Sequence, residues 1–281
     1  MQLPVTTIEA TKAARLRYEH KYLVPERLLD RLRRSVEPFM RLDSHVPRSG
    51  HSYTVRTIYF DDARFKSYFE KDDGIEVRAK PRIRGYNEYE PGTLVFLEVK
   101  RRHGLVGFKD RAAIPYENVA TLLSTGDAEQ LIQPPSWMPD SRSAARKFLF
   151  HVYRDALHPV LLECYEREPY VGILEPSLRV TFDQEIRSSM YPRIEDLFEA
   201  EEKHRSFRGW VVLEIKHDAS IGFPGWMRRF ISEHGAIREA LSKYWTCMTD
   251  WGAVHSHSRV RALACSEWTR PTNSGGQATH G

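Results

Sequence analysis

A chain of 281 residues with 41% hydrophobic and 28% charged side chains has ordinary globular composition and enough length to bury a substantial core. Its 42 Lys and Arg against 38 Asp and Glu leave a formal charge of only +4, too mild to indicate nucleic acid, so the placement of the charges must decide. Cys164, Cys247 and Cys265 are odd in number and far apart, which excludes a CxxC metal pair or a disulfide framework and points to a reducing, cytoplasmic setting. No run reaches the roughly 20 apolar residues of a transmembrane segment, and residues 1–17 lack the apolar centre of a signal peptide.

Residues 1–14 read as a flexible leader, 15–252 as one folded domain and 253–281, rich in Gly, Ser and Thr, as a disordered tail. A strand is expected at about 16–24. A helix with Pro25 in its first turn follows, where Leu28, Leu29, Leu32, Val36 and Phe39 recur at helical spacing. Strands are expected at 53–60, 74–86, 93–102 and about 106–114, separated by turn signals such as Glu90-Pro91-Gly92 and His103-Gly104. Helices follow at 116–124 and about 143–157, the second with Phe148, Leu149, Val152 and Tyr153 on one face. Strands resume at 158–171, 177–187 and 209–217, and two short helices flank His234-Gly235. Trp210, Trp226, Trp245 and Trp251 read as ordinary core. Many strands with a few helices make this an α+β chain built on an antiparallel sheet.

Alternation along the strands carries the functional signal, because residues two apart share a face. Arg78, Lys80, Arg82 and Arg84 share one face, with Val77, Ala79, Pro81 and Ile83 on the other. Glu98, Lys100 and Arg102 repeat the pattern opposite Leu97 and Val99, as do Lys109 and Arg111 on the next strand. So do Arg17, Glu19 and Lys21; Glu163, Tyr165 and Arg167; Arg179, Thr181 and Asp183; and Glu214 with Lys216. A solvated sheet face would explain any one of these strands. About seven together, dominated by Arg, Lys and Glu, instead suggest a barrel with charges inside and apolar faces outside, clad by helices. Such an interior suits a polyanion: Arg offers planar multi-donor recognition of phosphate oxygens and Lys a point charge. The carboxylates would repel phosphate directly, so their sensible role is to hold a divalent cation. Pro81 removes a ladder donor, so a bulge or an edge is expected there.

These residues resemble the VTC-type polyphosphate polymerases of the triphosphate tunnel metalloenzyme (CYTH-like) superfamily. The resemblance rests on segments in the family's order: Arg17-Tyr18-Glu19-His20-Lys21-Tyr22, Thr57-Ile58-Tyr59-Phe60-Asp61, Glu70-Lys71-Asp72-Asp73-Gly74, Arg78 to Tyr86 and Phe96-Leu97-Glu98-Val99-Lys100-Arg101. Tyr165-Glu166-Arg167, Leu178 to Asp183, Leu213-Glu214-Ile215-Lys216 and Ser242-Lys243-Tyr244 complete it. The wider superfamily often opens with Glu-x-Glu-x-Lys, and Arg17 at the first acidic position favours the VTC branch.

The resemblance implies an eight-stranded antiparallel β-barrel, the triphosphate tunnel, with helices around it. It implies a divalent metal, Mn2+ or Mg2+, and transfer of the γ-phosphate of ATP or another nucleoside triphosphate onto inorganic polyphosphate. Carried over, the phosphate ligands are Lys21, Arg82, Arg84, Lys100, Lys109, Arg167, Arg179, Lys216 and Lys243, with Tyr165 as a hydroxyl donor and Arg78, Lys80 and Arg111 as further candidates. Glu214 is the expected metal ligand, supported by Glu19 or Glu98. Glu214, Arg82, Arg84, Arg179 and Lys216 form the expected catalytic set. The alternatives are a tripolyphosphatase or nucleoside triphosphatase using the same ligands, and a non-catalytic polyphosphate binder. An RNA binder would interleave aromatics with its basic residues, and the basic strand offers only Tyr86, which argues against nucleic acid. The twelve histidines lack zinc-site spacing and read as surface groups.

Overall fold

A computed structural model describes residues 17–47, 50–103, 106–199 and 204–252. The expected leader and tail lie outside the described residues. The first half of the chain runs β1 (Arg17–Pro25), α1 (Leu29–Val36), β2 (Met40–Leu42), β3 (Tyr53–Asp61), α2 (Lys66–Asp72), β4 (Val77–Tyr86), β5 (Leu94–His103) and β6 (Val106–Pro115). After it come α3 (Val119–Thr125), α4 (Ala128–Leu131), α5 (Ser141–Arg154), β7 (His158–Gly172), β8 (Arg179–Met190) and β9 (His204–Arg205). The chain then adds β10 (Trp210–Asp218), α6 (Gly225–His234), β11 (Ile237–Arg238) and α7 (Lys243–Asp250). No helix among the described residues is long and apolar enough to cross a membrane.

The α+β class and the antiparallel sheet with flanking helices match the sequence reading, but the closed eight-stranded barrel does not. The strands pair in the order β11-β1-β10-β8-β7-β3-β4-β5-β6, with β2 added to β7 and β9 to β8, so the sheet has eleven strands and its two ends are not joined. Eight of the strands are nine residues or longer, whereas β2, β9 and β11 have two or three. Alternation needs several residues to show, so the short strands leave no trace in the sequence. Closure requires the end strands to share a ladder, and β11 has only two residues with which to make one.

The chain folds into two compact units. The first comprises Met1–His51, Glu168–Phe182 and Val211–Glu239. Here Leu29, Leu32 and Val36 of α1 and Met227 and Phe230 of α6 bury against Val180, Phe182, Val211, Leu213 and Ile215. Phe39, expected on the same face of α1, is instead half-exposed and stacks on Trp226 with centroids 4.8 Å apart. His217 is not a surface group. It lies within β10, is buried, and its Nε2 stands 3.2 Å from Nε2 of His20.

The second unit comprises Ser52–Arg167, Asp183–Trp210 and Ala240–Gly281. Its core sets Ile58, Ile83, Leu97, Val99, Ala112 and Ile114, all from one face of β3 to β6, against Phe148, Leu149 and Val152 of α5. The apolar half of each alternating strand therefore meets helices, as the pattern requires. Pro81 makes no bulge. It pairs in register with Val99, one residue past the Tyr59–Arg82 end of the β3–β4 ladder. There β4 has a neighbour on one side only, where a missing donor is tolerated.

Asp61 ties the second unit's ends together. Its carboxylate is fully buried and accepts from the backbone N–H groups of Asp62 and Ser67 (both 2.9 Å) and Tyr68 (3.2 Å), and from the Tyr244 hydroxyl at 2.5 Å. It thus caps the first turn of α2 and anchors α7 across 183 residues of sequence. Asp61→Asn keeps the shape but turns an N–H₂ toward these donors. It should lower unfolding free energy by about 3 kcal/mol, the scale of two charge-assisted hydrogen bonds. Tyr244→Phe should cost about 1 kcal/mol. Urea midpoints with unchanged slopes test both, and equal midpoints for the two variants would contradict this assignment.

Candidate functional site

The charged face of the second unit is built row by row from strand register. Tyr59, Arg82, Glu98 and Arg111 are cross-strand partners in sequence across β3, β4, β5 and β6. A second row aligns Lys80, Lys100 and Lys109, and a third runs Glu163, Thr57, Arg84 and Phe96 across β7, β3, β4 and β5. Tyr165 and Arg167 continue the face along β7, and Lys243 enters from the first residue of α7. These rows bring together Arg78, Lys80, Arg82, Arg84, Lys100, Lys109, Arg111, Tyr165, Arg167 and Lys243, ten of the residues expected to bind phosphate.

Carboxylates hold most of the cations in place. Glu98 is wholly buried; it accepts from Arg82 Nε at 2.7 Å and faces Arg111 Nε at 3.1 Å and Lys109 Nζ at 3.4 Å. Burial alone would raise its carboxyl, but Arg82, Arg84, Lys109 and Arg111 overcome this and hold it well below the usual carboxylate range. Asp183 grips Arg167 in two parallel 2.7 Å bonds and Lys243 at 2.5 Å. Both of these cations also sit over the Tyr165 ring, at 5.2 and 4.6 Å from its centroid. Arg111 lies 3.5 Å above the Phe96 ring. Arg78 donates to the Glu70 carbonyl at 3.3 Å.

Arg84 is different. It is 8% exposed, and its Nε donates to Thr57 Oγ1 at 3.2 Å, but no carboxylate among the described residues pairs with it. Lys80, with its ammonium 4.7 Å from the Tyr244 ring centroid, is pushed down to about 7. Burial does this, opposed by Asp61 and reinforced by Arg78, Lys100 and Lys71. Lys109 is lowered in the same sense by burial, although nearly half of its side chain is exposed.

The first unit holds a second constellation. Glu19 and Lys21 lie on β1 and pair at 3.0 Å; Glu214 and Lys216 lie on β10 and also pair. Lys216 Nζ further reaches Glu19 Oε2 at 3.9 Å, so two carboxylates converge on one cation. Two carboxylates, completed by phosphate oxygens and water, are a donor set that Mg2+ or Mn2+ accepts. Among the described residues no three His, Cys, Asp or Glu side chains form a ready-made metal cage. Arg179 is 58% exposed, its nearest carboxylate being Asp43 at 3.7 Å.

Sequence reasoning placed Glu163 and Asp183 on charged faces but gave them no role, and it passed over Thr57 and Tyr59. Asp183 was legible as the one acid beside Arg179 and Thr181. The Thr57 and Tyr59 rows depend on which strands become neighbours, which no local pattern records.

The model of the VTC domain family matches residues 16–251. Comparison with curated proteins gives no match. Among solved structures, the chain is similar to HpAC1 from Hippeastrum, described as an adenylyl cyclase candidate with a dominant triphosphatase activity. Identity is 14% and the TM-score 0.46, over 85% of this chain and 98% of that one. It is also similar to the PH1819 protein from Pyrococcus horikoshii OT3, at 16% identity and a TM-score of 0.39, over 83% of this chain and 99% of that one. With its charged strands in the family's order and the family model spanning the described fold almost end to end, this chain belongs to the VTC domain family.

Proposed function

We propose that this chain is a phosphotransferase that binds triphosphate and polyphosphate on the basic face of its second unit, moving the γ-phosphate of a nucleoside triphosphate onto a polyphosphate chain. The observation that carries this reading is Arg84. A guanidinium buried beside Arg82, with no carboxylate ion pair among the described residues, calls for an anion. Glu98 and Asp183 pre-position Arg82, Arg111, Arg167 and Lys243, so a phosphate chain meets donors that need little reorganisation.

In the reaction, a terminal oxygen of the acceptor chain attacks the γ-phosphorus in line. One P–O bond forms, the bond to the β-bridging oxygen breaks, and the nucleoside diphosphate leaves with the electron pair. The acceptor is already anionic, so no protein nucleophile or base is required. Arg82, Arg84 and Lys243 orient the phosphates and neutralise charge on the non-bridging oxygens. Within the first unit, Glu214 and Glu19 are the residues suited to hold a divalent cation, which when bound would supply positive charge there. Glu98 is assigned to holding its cations rather than a metal, because it is wholly buried and three cations, Arg82, Lys109 and Arg111, face its two oxygens.

Three outcomes follow. Arg84→Met should weaken tripolyphosphate binding by about 1.5–3 kcal/mol, the scale of charged hydrogen bonds, while leaving the ligand-free protein as stable or more so. Calorimetry with tripolyphosphate and thermal unfolding read the two effects separately; a variant that unfolds early yet binds normally would make Arg84 structural. Wild-type affinity for tripolyphosphate should also fall at least about tenfold between low and high salt, as for other many-contact polyanion sites. Glu214→Gln should cut turnover of ATP with Mn2+ by roughly 100-fold or more while tripolyphosphate binding without metal persists. Gel analysis of chain products against released phosphate distinguishes polymer synthesis from hydrolysis in the same assay.

A further inference from the structure

Glu163 stands inside the basic face but takes no part in holding it. It is 1% exposed, and its Oε2 is buried with no hydrogen-bond partner. The other two acids among the cations are committed, Glu98 to Arg82, Lys109 and Arg111, and Asp183 to Arg167 and Lys243. Glu163 therefore faces cations that already have carboxylate partners, apart from Arg84.

Its position makes this consequential. Thr57 pairs with Arg84 on one side and with Glu163 on the other, so the three lie in one row across adjacent strands. Strand spacing puts the outer two backbones about 10 Å apart, a gap their side chains and a phosphate group can fill. An anion drawn to the unpaired guanidinium of Arg84 thus arrives beside the unpartnered oxygen of Glu163. An ionised carboxylate there repels it; a protonated one donates a hydrogen bond to it.

We propose that Glu163 takes up one proton from solvent when a phosphate chain binds to the second unit, meeting the ligand as a neutral hydrogen-bond donor. This rests on the phosphate-binding reading given above. The groups facing Glu163 are consistent with it. Tyr59 comes from β3, Arg82 and Arg84 from β4, Tyr165 from β7 itself, Asp183 from β8, and Lys243 and Cys247 from α7. Burial already raises the Glu163 carboxyl, assisted by Asp183, despite the opposing pull of Lys243, Arg84 and Arg82. An arriving polyanion cancels much of that pull, so proton affinity rises further on binding. The role separates Glu163 from a metal ligand, which must give up its proton to work.

The experiment is calorimetric titration of the full chain with inorganic tripolyphosphate, without metal, between about pH 5.5 and about pH 8, in pairs of buffers with different ionisation enthalpies. The ligand's own titration is common to every protein tested and cancels in the comparison. The wild type should take up about one proton more than Glu163→Gln, and its affinity relative to that variant should fall by up to about tenfold per pH unit above the range where free Glu163 ionises. Glu163→Gln should keep only the pH dependence that the ligand and Lys80 contribute, which both proteins share. Glu166→Gln, on the opposite face of β7 beside Thr54, should behave as wild type. If Glu163→Gln fails to fold, proton uptake by Lys80→Met decides: no buffer dependence beyond the ligand's own in that variant overturns the proposal. Normal binding with identical proton uptake in wild type and Glu163→Gln overturns the role of Glu163 and leaves the phosphate site standing. No tripolyphosphate binding by either protein at any pH overturns both.

Discussion

Burying Arg82 and Arg84 on alternate positions of one strand is the constraint around which the second unit is organised. Two guanidinium groups on the same face repel each other, and removing each from water is costly unless opposite charge is supplied nearby. Register supplies it: Glu98 lies directly across from Arg82, and Arg111 across from Glu98, so one buried acid serves cations on the two strands that flank it. The same register places the apolar residues between these positions, such as Ile83, Leu97 and Val99, on the other face, where α5 covers them. Slipping any of these strands by one residue would turn guanidiniums into the α5 core and leucines onto the charged face. The charged surface and the hydrophobic core thus fix one another.

The carboxylates then divide into kinds that composition cannot distinguish. Glu98 and Asp183 are saturated by arginine and lysine and serve as fixed counter-charges. Asp61 is saturated by backbone N–H groups and a tyrosine, and works for stability. Glu19 and Glu214 share Lys216 in the first unit, and they are the pair proposed to hold a divalent cation. Glu163 leaves a buried oxygen with neither a hydrogen bond nor an ion pair among the described residues. The proposed phosphate recognition would gain from this division, because donors held by fixed acids lose little freedom when a ligand arrives. Lys80, lowered by burial and by the neighbouring Arg78, Lys100 and Lys71, would hold its proton more tightly with an anion beside it.

The strand pattern, the charged and apolar faces, and the family itself were all legible in the chain. Alternation is local, so Arg78 to Arg84 disclosed a two-faced strand without reference to anything else, and the order of short charged segments carried the family resemblance from residue 17 to residue 244. What local pattern could not reveal was which strands become neighbours and how many short ones join the edges. The closed eight-stranded barrel gave way to an open eleven-stranded sheet because β2, β9 and β11 are too short to have a period. Likewise, the sequence put Glu98, Asp183 and Glu163 on charged faces and Asp61 at a strand end, and named only Glu98, as a supporting metal ligand. Only tertiary structure decided that Arg82 and Arg111 neutralise the first, that Arg167 and Lys243 clamp the second, that the third keeps an unpaired oxygen and that the fourth anchors Tyr244. The physical reason is that a side chain's charge is fixed by its chemistry, whereas its role depends on partners brought in from distant sequence by register and packing.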